Sequence, residues 1–330
     1  MEKVDILLAT YNGEKYLKEQ LDSILNQSYA NFRLIISDDC STDNTKLILE
    51  EYAKKDDRIE LLFSESNKGI IKNFEFLLKK VQNKFFMFSD QDDIWKRNKI
   101  EESIKKIEST DSDLVFSDLE VVDEKLNVIC KSYWKLKGFY NKIKKYNNFD
   151  SLYLNNYITG CTIIAKSEWI KKILPIPKES KFILHDYWLA LIVSQTGKME
   201  YIEEPLIKYR QHKNNKVGSK KYSDSIDSFD EMRNLFIKVK IEHFNVFIKN
   251  EDIFISKEIK DINKKSLKYF EKLKKTKYLN FNNWNLFFKL YKYEKFSYII
   301  ENFLILNLPI IAKPLVKLSR KIKKKNNSYN

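Results

Sequence analysis

Apolar and polar positions along the first hundred residues alternate between two periods, and each change marks a switch between strand and helix. "VDILLAT" (residues 4–10) is an apolar run interrupted only by Asp5, short enough for a buried strand. A polar turn follows at Tyr11–Asn12–Gly13. Leu17, Leu21, Ile24 and Leu25 then recur at helical spacing and predict a helix over residues 14–27. "FRLIIS" predicts a second strand closed by Asp38–Asp39, and "STDNT" supplies capping residues for a helix over "KLILEEYAKK". "IELLF" reads as a third strand, "NKGIIKNFEFLLKKV" as a helix and "KFFMFS" as a fourth strand. This βαβαβαβ order implies an α/β fold, a mostly parallel Rossmann-like sheet with helices on both faces.

Further along, "WKRNKIEESIKKIES" predicts a helix, "DLVFSDLEVVD" a strand pair or hairpin, and "ITGCTIIAK" another strand. "HDYWLALIVSQTG" predicts a helix ended by Gly197, and "MEYIEEPLIKYRQH" extended segments broken at Pro205. "KNNKVGSKKYSDS" has the composition of a loop, and residues 224–276 return to an amphipathic helical pattern. No internal repeat is visible.

The polar clusters fall at the predicted carboxyl ends of the strands, where open α/β sheets bind ligands. Asp90, Asp92 and Asp93 follow directly on the apolar run "FFMFS". Like charges that close repel, and each loses hydration at an enclosed strand end. A divalent cation, magnesium or manganese, bridging carboxylate to substrate phosphate would offset both costs. The plainer alternative places the aspartates at the start of the next helix, where negative charge meets the positive end of the dipole. Asp38 and Asp39 fit turn residues, or carboxylates that accept an N–H from a pyrimidine base or a ribose hydroxyl. Asp186, in "HDYW", fits a helix N-cap or a general base at a pocket rim. "YRQH" ends a strand with Arg210 and His212.

Taken together, "ATYNGEKYLKEQLDSILNQSYANFRLIISDDCSTDNT", "SDQDDIW", "HDYW" and "YRQH" resemble family 2 glycosyltransferases of the GT-A fold, within them the bacterial rhamnosyltransferases that build surface polysaccharides. The resemblance covers residues 3–212. It implies that Thr10, Tyr11 and Asn12 line a nucleotide pocket, that Asp39 contacts the base, and that Asp90 faces the ribose or sugar. It implies Asp92 as metal ligand and Asp186 as catalytic base, with His185 in the place of the family's usual glutamate. His212 would approach the metal or diphosphate, and Arg210 would add positive charge to the nucleotide-sugar site. The implied activity is transfer, with inversion, of a sugar from a nucleoside-diphosphate donor to a saccharide or lipid-linked acceptor. L-rhamnose from dTDP-rhamnose is the first candidate, and a UDP-hexose or UDP-N-acetylhexosamine the alternative. A subunit that binds nucleotide sugar without catalysis is a further reading. A nucleotidyltransferase would want a glycine-rich, basic phosphate loop, and "ATYNGEKYL" has one glycine.

Composition adds three constraints. With 43% hydrophobic and 14% aromatic residues, the 330-residue chain is that of a folded protein. Cys40, Cys130 and Cys161 have neither disulfide nor metal-site spacing, as expected for reduced thiols and a cytoplasmic setting. The opening apolar run is too short for a signal peptide, and no apolar stretch reaches transmembrane length. Of the +14 net charge, residues 271–330 carry +11, thirteen lysines and Arg320 against three glutamates, which leaves +3 for the first 270. A nucleic-acid-binding core is therefore not expected. The division implied is a GT-A catalytic domain at 1–215, with a nucleotide-sugar half at about 1–110 and an acceptor half at about 111–215, and a helical, basic extension at 216–330. "YIIENFLILNLPIIAKPLVKL" and the basic cluster after it have an interfacial pattern, suited to peripheral attachment at the inner membrane face or to packing on protein.

Overall fold

The computed structural model describes residues 2–146, 149–180, 182–212, 229–275, 284–291, 303 and 306–307. It divides into two compact units, Met1–Ser219 and Lys220–Asn330. The first opens with β1 (Val4–Thr10), α1 (Leu17–Leu25), β2 (Phe32–Asp38), α2 (Thr45–Ala53), β3 (Ile59–Phe63), α3 (Ile70–Leu78) and β4 (Phe85–Ser89), in the predicted order. There follow β5 (Ile94–Trp95), α4 (Lys99–Thr110), β6 (Leu114–Val122) and β7 (Val128–Cys130). Three short helices come next, α5 (Tyr133–Lys137), α6 (Tyr140–Tyr146) and α7 (Phe149–Leu152). The unit ends with β8 (Ile163–Lys166), α8 (Ile170–Ile173), α9 (His185–Thr196) and β9 (Met199–Arg210).

The strands form one sheet in the order β3-β2-β1-β4-β8-β6-β9-β5, with β7 paired to β6. Its first half is parallel: β1 lies between β2 and β4, in the register Thr10↔Asp38 and Leu8↔Ser89. That register delivers Tyr11, Asp39 and Asp90 to the same edge. Beyond β4 the sheet is mixed, because β8 runs antiparallel to both β4 and β6 while β9 runs parallel to β6.

Period-two alternation divides each central strand between two cores. Val4, Ile6 and Leu8 of β1, with Phe85 and Met87 of β4, bury against Leu17, Leu21 and Ile24 of α1 and Ile100, Ile104 and Ile107 of α4. Phe86 and Phe88 point the other way, where the ring of Phe74 on α3 meets Phe88 edge-on at 5.3 Å. Asp5, the one charge inside β1, is fully buried but fully used. It accepts from the Arg33 guanidinium (2.9 Å), from the Gln82 and Asn83 N–H groups (2.8 and 3.0 Å) and from the Asn83 side chain (2.6 Å). Burial works to raise its pKa, and these donors outweigh it and hold the carboxyl below its ordinary range.

Four expectations are revised by the geometry. The capping residues before α2 make no side-chain cap; Asp43 instead accepts from the Thr45 and Glu14 N–H groups and ties two loops together. The helix predicted from Trp95 begins at Lys99, because Ile94 and Trp95 pair antiparallel with β9. Pro205 does not break β9, which runs unbroken past it; the β6–β9 register shifts there, since proline has no N–H to donate. Gly197 ends α9 with φ −92°, not in the left-handed conformation of a glycine cap. Its reason is space: a Cβ there would lie 2.6 Å from Trp169 Cζ2 and 2.9 Å from the Val193 carbonyl.

The second unit holds α10 (Phe229–Lys249), α11 (Lys257–Lys275) and α12 (Trp284–Tyr291). α11 buries Ser266, Tyr269, Phe270 and Leu273, one stripe at helical spacing, and Phe270 stacks on Phe244 of α10 at 5.8 Å. Among the described residues no helix is long and apolar enough to cross a membrane. The loop expected at 213–225 and nearly all of the apolar and basic tail lie outside the described residues.

Gly197→Ala is expected to destabilise the protein by about 1–3 kcal/mol, since the added methyl must displace a packed indole and a backbone carbonyl. A melting temperature equal to the wild type's would show that the α9 terminus relaxes freely.

Candidate active site

Two loops at the carboxyl edge of the sheet are laced together by side chains. The Thr10 hydroxyl donates to Asp38 Oδ2 (2.9 Å), and Thr10 O accepts the Asp39 N–H (2.9 Å). Asn12 sits at φ 48°, a left-handed conformation that asparagine tolerates, and its Oδ1 accepts the Thr42 N–H at 2.8 Å. The Gln91 amide accepts from the Tyr11 N–H (2.8 Å) and donates to Tyr11 O (3.1 Å), so the acidic loop is fastened to the turn after β1. Gln91 was not singled out in the sequence. Its contact leaves no room beside Gly13, where a Cβ would fall 2.4 Å from Gln91 Oε1. Tyr11 keeps 45% of its surface exposed above this turn. Asp39 is buried and accepts the Lys68 and Gly69 N–H groups (2.8 and 2.7 Å), which holds the loop before α3 against the end of β2.

The three aspartates after β4 have three different environments. Asp93 is fully buried, accepts the Arg210 N–H (3.2 Å), and has its second oxygen without a hydrogen-bond partner. Asp92 Oδ2 lies 2.7 Å from His212 Nε2, whose ring packs on Tyr16 at 4.9 Å. Asp90, partly buried, is pushed up to about 7, chiefly by burial, then by the charges of Asp92 and Asp186. Asp93 is raised as well, by burial first and then by its two neighbours. α4 starts six residues after Asp93, so a helix-start role for the cluster is excluded by position.

Asp186 reaches the same place from the first turn of α9. It is not a cap: its Oδ1 accepts its neighbour Tyr187's N–H (2.7 Å) and its Oδ2 the Gly160 N–H (3.0 Å). Burial raises its pKa to about 6 against those two donors. Gly160 admits this approach, since a Cβ there would stand 3.2 Å from both Asp186 Cβ and His185 Nε2. His185 faces the apolar core. Its ring stacks on Phe74 at 3.7 Å and meets Phe88 edge-on at 4.6 Å, and burial drives its pKa down to about 3. It is a neutral packing residue.

Arg210 is placed differently from the expectation of a charge for the donor. Its side chain is 2% exposed; Nε donates to Asp92 O (2.9 Å), Nη1 to Glu124 O (2.9 Å), and Nη2 pairs with Glu19. The guanidinium clamps the acidic loop. A second cation lies inside: Lys99 is fully buried, its ammonium 3.8 Å from the Trp95 ring centre, and burial lowers its pKa to about 7 while Cys161 and Asp93 oppose the shift. Lys99 left no mark in the sequence beyond its place in a helical pattern.

The arrangement has two faces with different donor chemistry. Ligand atoms of Asp90, Asp93 and Cys161 lie within 4.8 Å of one another. Burial raises Asp93 and pushes the Cys161 thiol well up as well, and a thiol is a poor ligand for a hard cation such as magnesium. Asp92 and His212, joined at 2.7 Å, pair a carboxylate with an imidazole, and among the described residues they do not join Asp90 in a group of three ligands.

The sequence of residues 5–174 matches the model of glycosyl transferase family 2. The chain belongs to that family. A relative, the dTDP-rhamnosyl transferase RfbG of Shigella flexneri, is 35% identical over 223 residues, 64% of this chain and 74% of that protein. The Escherichia coli glucosyltransferase WfgD, described as UDP-Glc:alpha-D-GlcNAc-diphosphoundecaprenol beta-1,3-glucosyltransferase, is 28% identical over 223 residues, 67% of this chain and 81% of that one. Solved structures share the GT-A fold. TarS 1–349 of S. aureus in complex with UDP-GlcNAc superposes with a TM-score of 0.55 at 19% identity, over 82% of this chain and 72% of that one. The mannosyltransferase PcManGT of Pyrobaculum calidifontis, in complex with GDP-Man and Mn2+, gives 0.57 at 15% identity, over 99% and 82%.

Folded Asp90 titrates near 7, against 3.8 for the ordinary group, so between those values the folded chain holds a proton that the unfolded chain has lost. Its contribution to stability is full below that window and is lost as pH rises through it. Asp90→Asn in chelator-treated buffer is therefore expected to be more stable than wild type at pH about 7.5, by about 1–3 kcal/mol, with the difference gone near pH 4. Melting curves at the two pH values check it, and a variant less stable at both would refute the burial argument.

Proposed function

We propose that this family 2 glycosyltransferase moves a sugar from a nucleoside-diphosphate donor to a saccharide or lipid-linked acceptor in surface-polysaccharide synthesis, with inversion at the transferred carbon. L-rhamnose from dTDP-rhamnose is the proposed donor, on the strength of the 35% identity to a dTDP-rhamnosyl transferase. The observation that carries the reading is that Asp90 after β4 feels the charges of both Asp92 and Asp186, the latter brought from a distant part of the chain on α9. Asp186 is fixed by two N–H groups and titrates near 6, so it is ionised and basic at neutral pH.

In this reading Asp186 takes the proton of the acceptor hydroxyl as its oxygen attacks the anomeric carbon, and the bond to the nucleoside diphosphate breaks on the opposite face. A single carboxylate base with no partner nucleophile accounts for inversion by one displacement. Thr10, Tyr11, Asn12 and Asp39 would receive the nucleotide, and Asp90 the ribose or sugar. Asp92 and His212 would hold a divalent cation, which offsets the charge that builds on the leaving diphosphate. Arg210 serves the donor through the loop that it clamps. Catalysis belongs to the N-terminal unit, and attachment at the inner membrane face is the role proposed for the basic extension.

The test is release of nucleoside diphosphate from dTDP-rhamnose, UDP-glucose, UDP-galactose or UDP-N-acetylglucosamine, with and without a lipid-linked acceptor extract, in magnesium or manganese. Turnover from one donor should fall by about 100-fold or more in Asp186→Asn. Asp92→Ala should abolish the response to added metal. Full turnover by either variant would overturn its assignment. Because Asp186 must be ionised, kcat/KM should fall about tenfold per pH unit below about 6 and level off above it. A flat profile from pH 5 to about 8 would remove Asp186 as the base.

A further inference from the structure

We propose that the arm formed by β7 and α5 is a docking surface for an anionic phospholipid membrane, carried by the catalytic unit itself. Residues 125–149 contain seven lysines and no acidic residue, although the first 270 residues together carry a net charge of only +3. The same stretch exposes large apolar side chains. Val128 is 51% exposed, Ile129 55% and Leu136 46%, three of the nine such residues found among the described residues. Lys125, Lys131 and Lys135, also exposed, flank them. Sheet edges are ordinarily blunted by charge and not left with adjacent β-branched side chains in water. Exposed apolar side chains with exposed lysines next to them along the chain match a lipid–water interface, where the apolar tips enter the acyl boundary and the ammonium groups reach headgroup phosphates. An acidic soluble partner or a nucleic acid would answer the charge and leave the apolar tips unexplained.

The arm is also firmly rooted. Trp134 of α5 is buried beneath it, and the Asp118 carboxylate accepts from the Ser132 hydroxyl and from the Trp134 N–H (3.1 Å). Its base lies beside the candidate active site, since Glu124 pairs with Lys15 (2.6 Å) and its carbonyl accepts from Arg210 (2.9 Å). Docked on a bilayer, the arm would hold that site at the surface where a lipid-linked acceptor is presented. This benefit rests on the proposed acceptor class, whereas the binding itself does not.

The test uses the full chain and sedimentation with vesicles of phosphatidylcholine, with and without phosphatidylglycerol. Wild type is expected to sediment with the anionic vesicles. Val128→Asn/Ile129→Asn and Lys125→Gln/Lys131→Gln/Lys135→Gln should each bind about tenfold more weakly or worse, with unchanged melting and unchanged turnover of a water-soluble acceptor. An environment-sensitive dye on Ile129→Cys should shift to the blue on anionic vesicles, a readout that does not need the multiple variants to fold. Variants that bind vesicles as wild type does, with no dye shift, would overturn the proposal, because the basic tail would then be the attachment. Loss of binding to heparin with vesicle binding intact would overturn it in favour of a soluble acidic partner. Absent turnover in every protein would count against the transferase reading alone and leave the vesicle result standing.

Discussion

Four carboxylates of like charge meet at one edge of the sheet, and the first unit is organised around making that tolerable. Each ion there loses hydration and feels its neighbours in a low-dielectric setting, so the chain has to neutralise or counter them. It does so unequally. Asp93, on the interior side with the Cys161 thiol, is shifted toward its protonated form, with the buried Lys99 close enough to feel both. Asp92 has His212, and Asp186 has two N–H donors. Asp90 is left facing two other carboxylates. A folded chain that keeps such a group near its neutral point is one whose stability has yielded to its chemistry.

Arg210 is the mechanical counterpart of this electrostatic arrangement. One side chain joins α1 through Glu19, the acidic loop through Asp92 O, and the turn after β6 through Glu124 O, while its own N–H reaches Asp93. The guanidinium suits the task because it is planar, always charged, and able to donate in several directions at once. Lysine at the same position would keep the charge and lose the geometry.

Much of the first unit was legible in the sequence because its signals are local. "VDILLAT", "FRLIIS" and "KFFMFS" announce buried strands by length and alternation, and a parallel βαβ order forces their polar ends onto one edge. Asp186 was legible only through its resemblance to a family motif, since spacing alone left a helix cap open. What stayed hidden depends on partners far along the chain. Nothing around Arg210 tells that its guanidinium faces Glu19 and Glu124, and nothing in "HDYW" tells that His185 stacks on Phe74 of α3. Gly197 was read as a helix stop for its backbone freedom, when the constraint is the indole of Trp169. Lys99 is a further case, because an amphipathic pattern places a lysine outside and here it lies within.

The pairing of β5 with β9 carries a consequence for how the protein is made. The parallel strands β1 to β4 are complete by Ser89, yet Ile94 and Trp95 find their ladder partners only at Ile207 and Lys208, and Arg210 is 191 residues from Glu19. A chain emerging from the ribosome therefore carries β1 to β4 and the Gln91 tie to Tyr11 before the partners of Ile94 and Trp95 exist. The acidic loop gains its second fastening, through Arg210, only when the last strand of the unit arrives. Synthesis thus leaves the clamp on the acidic loop for last, and a chain cut before residue 207 would lack both the ladder partners of Ile94 and Trp95 and the Arg210 guanidinium.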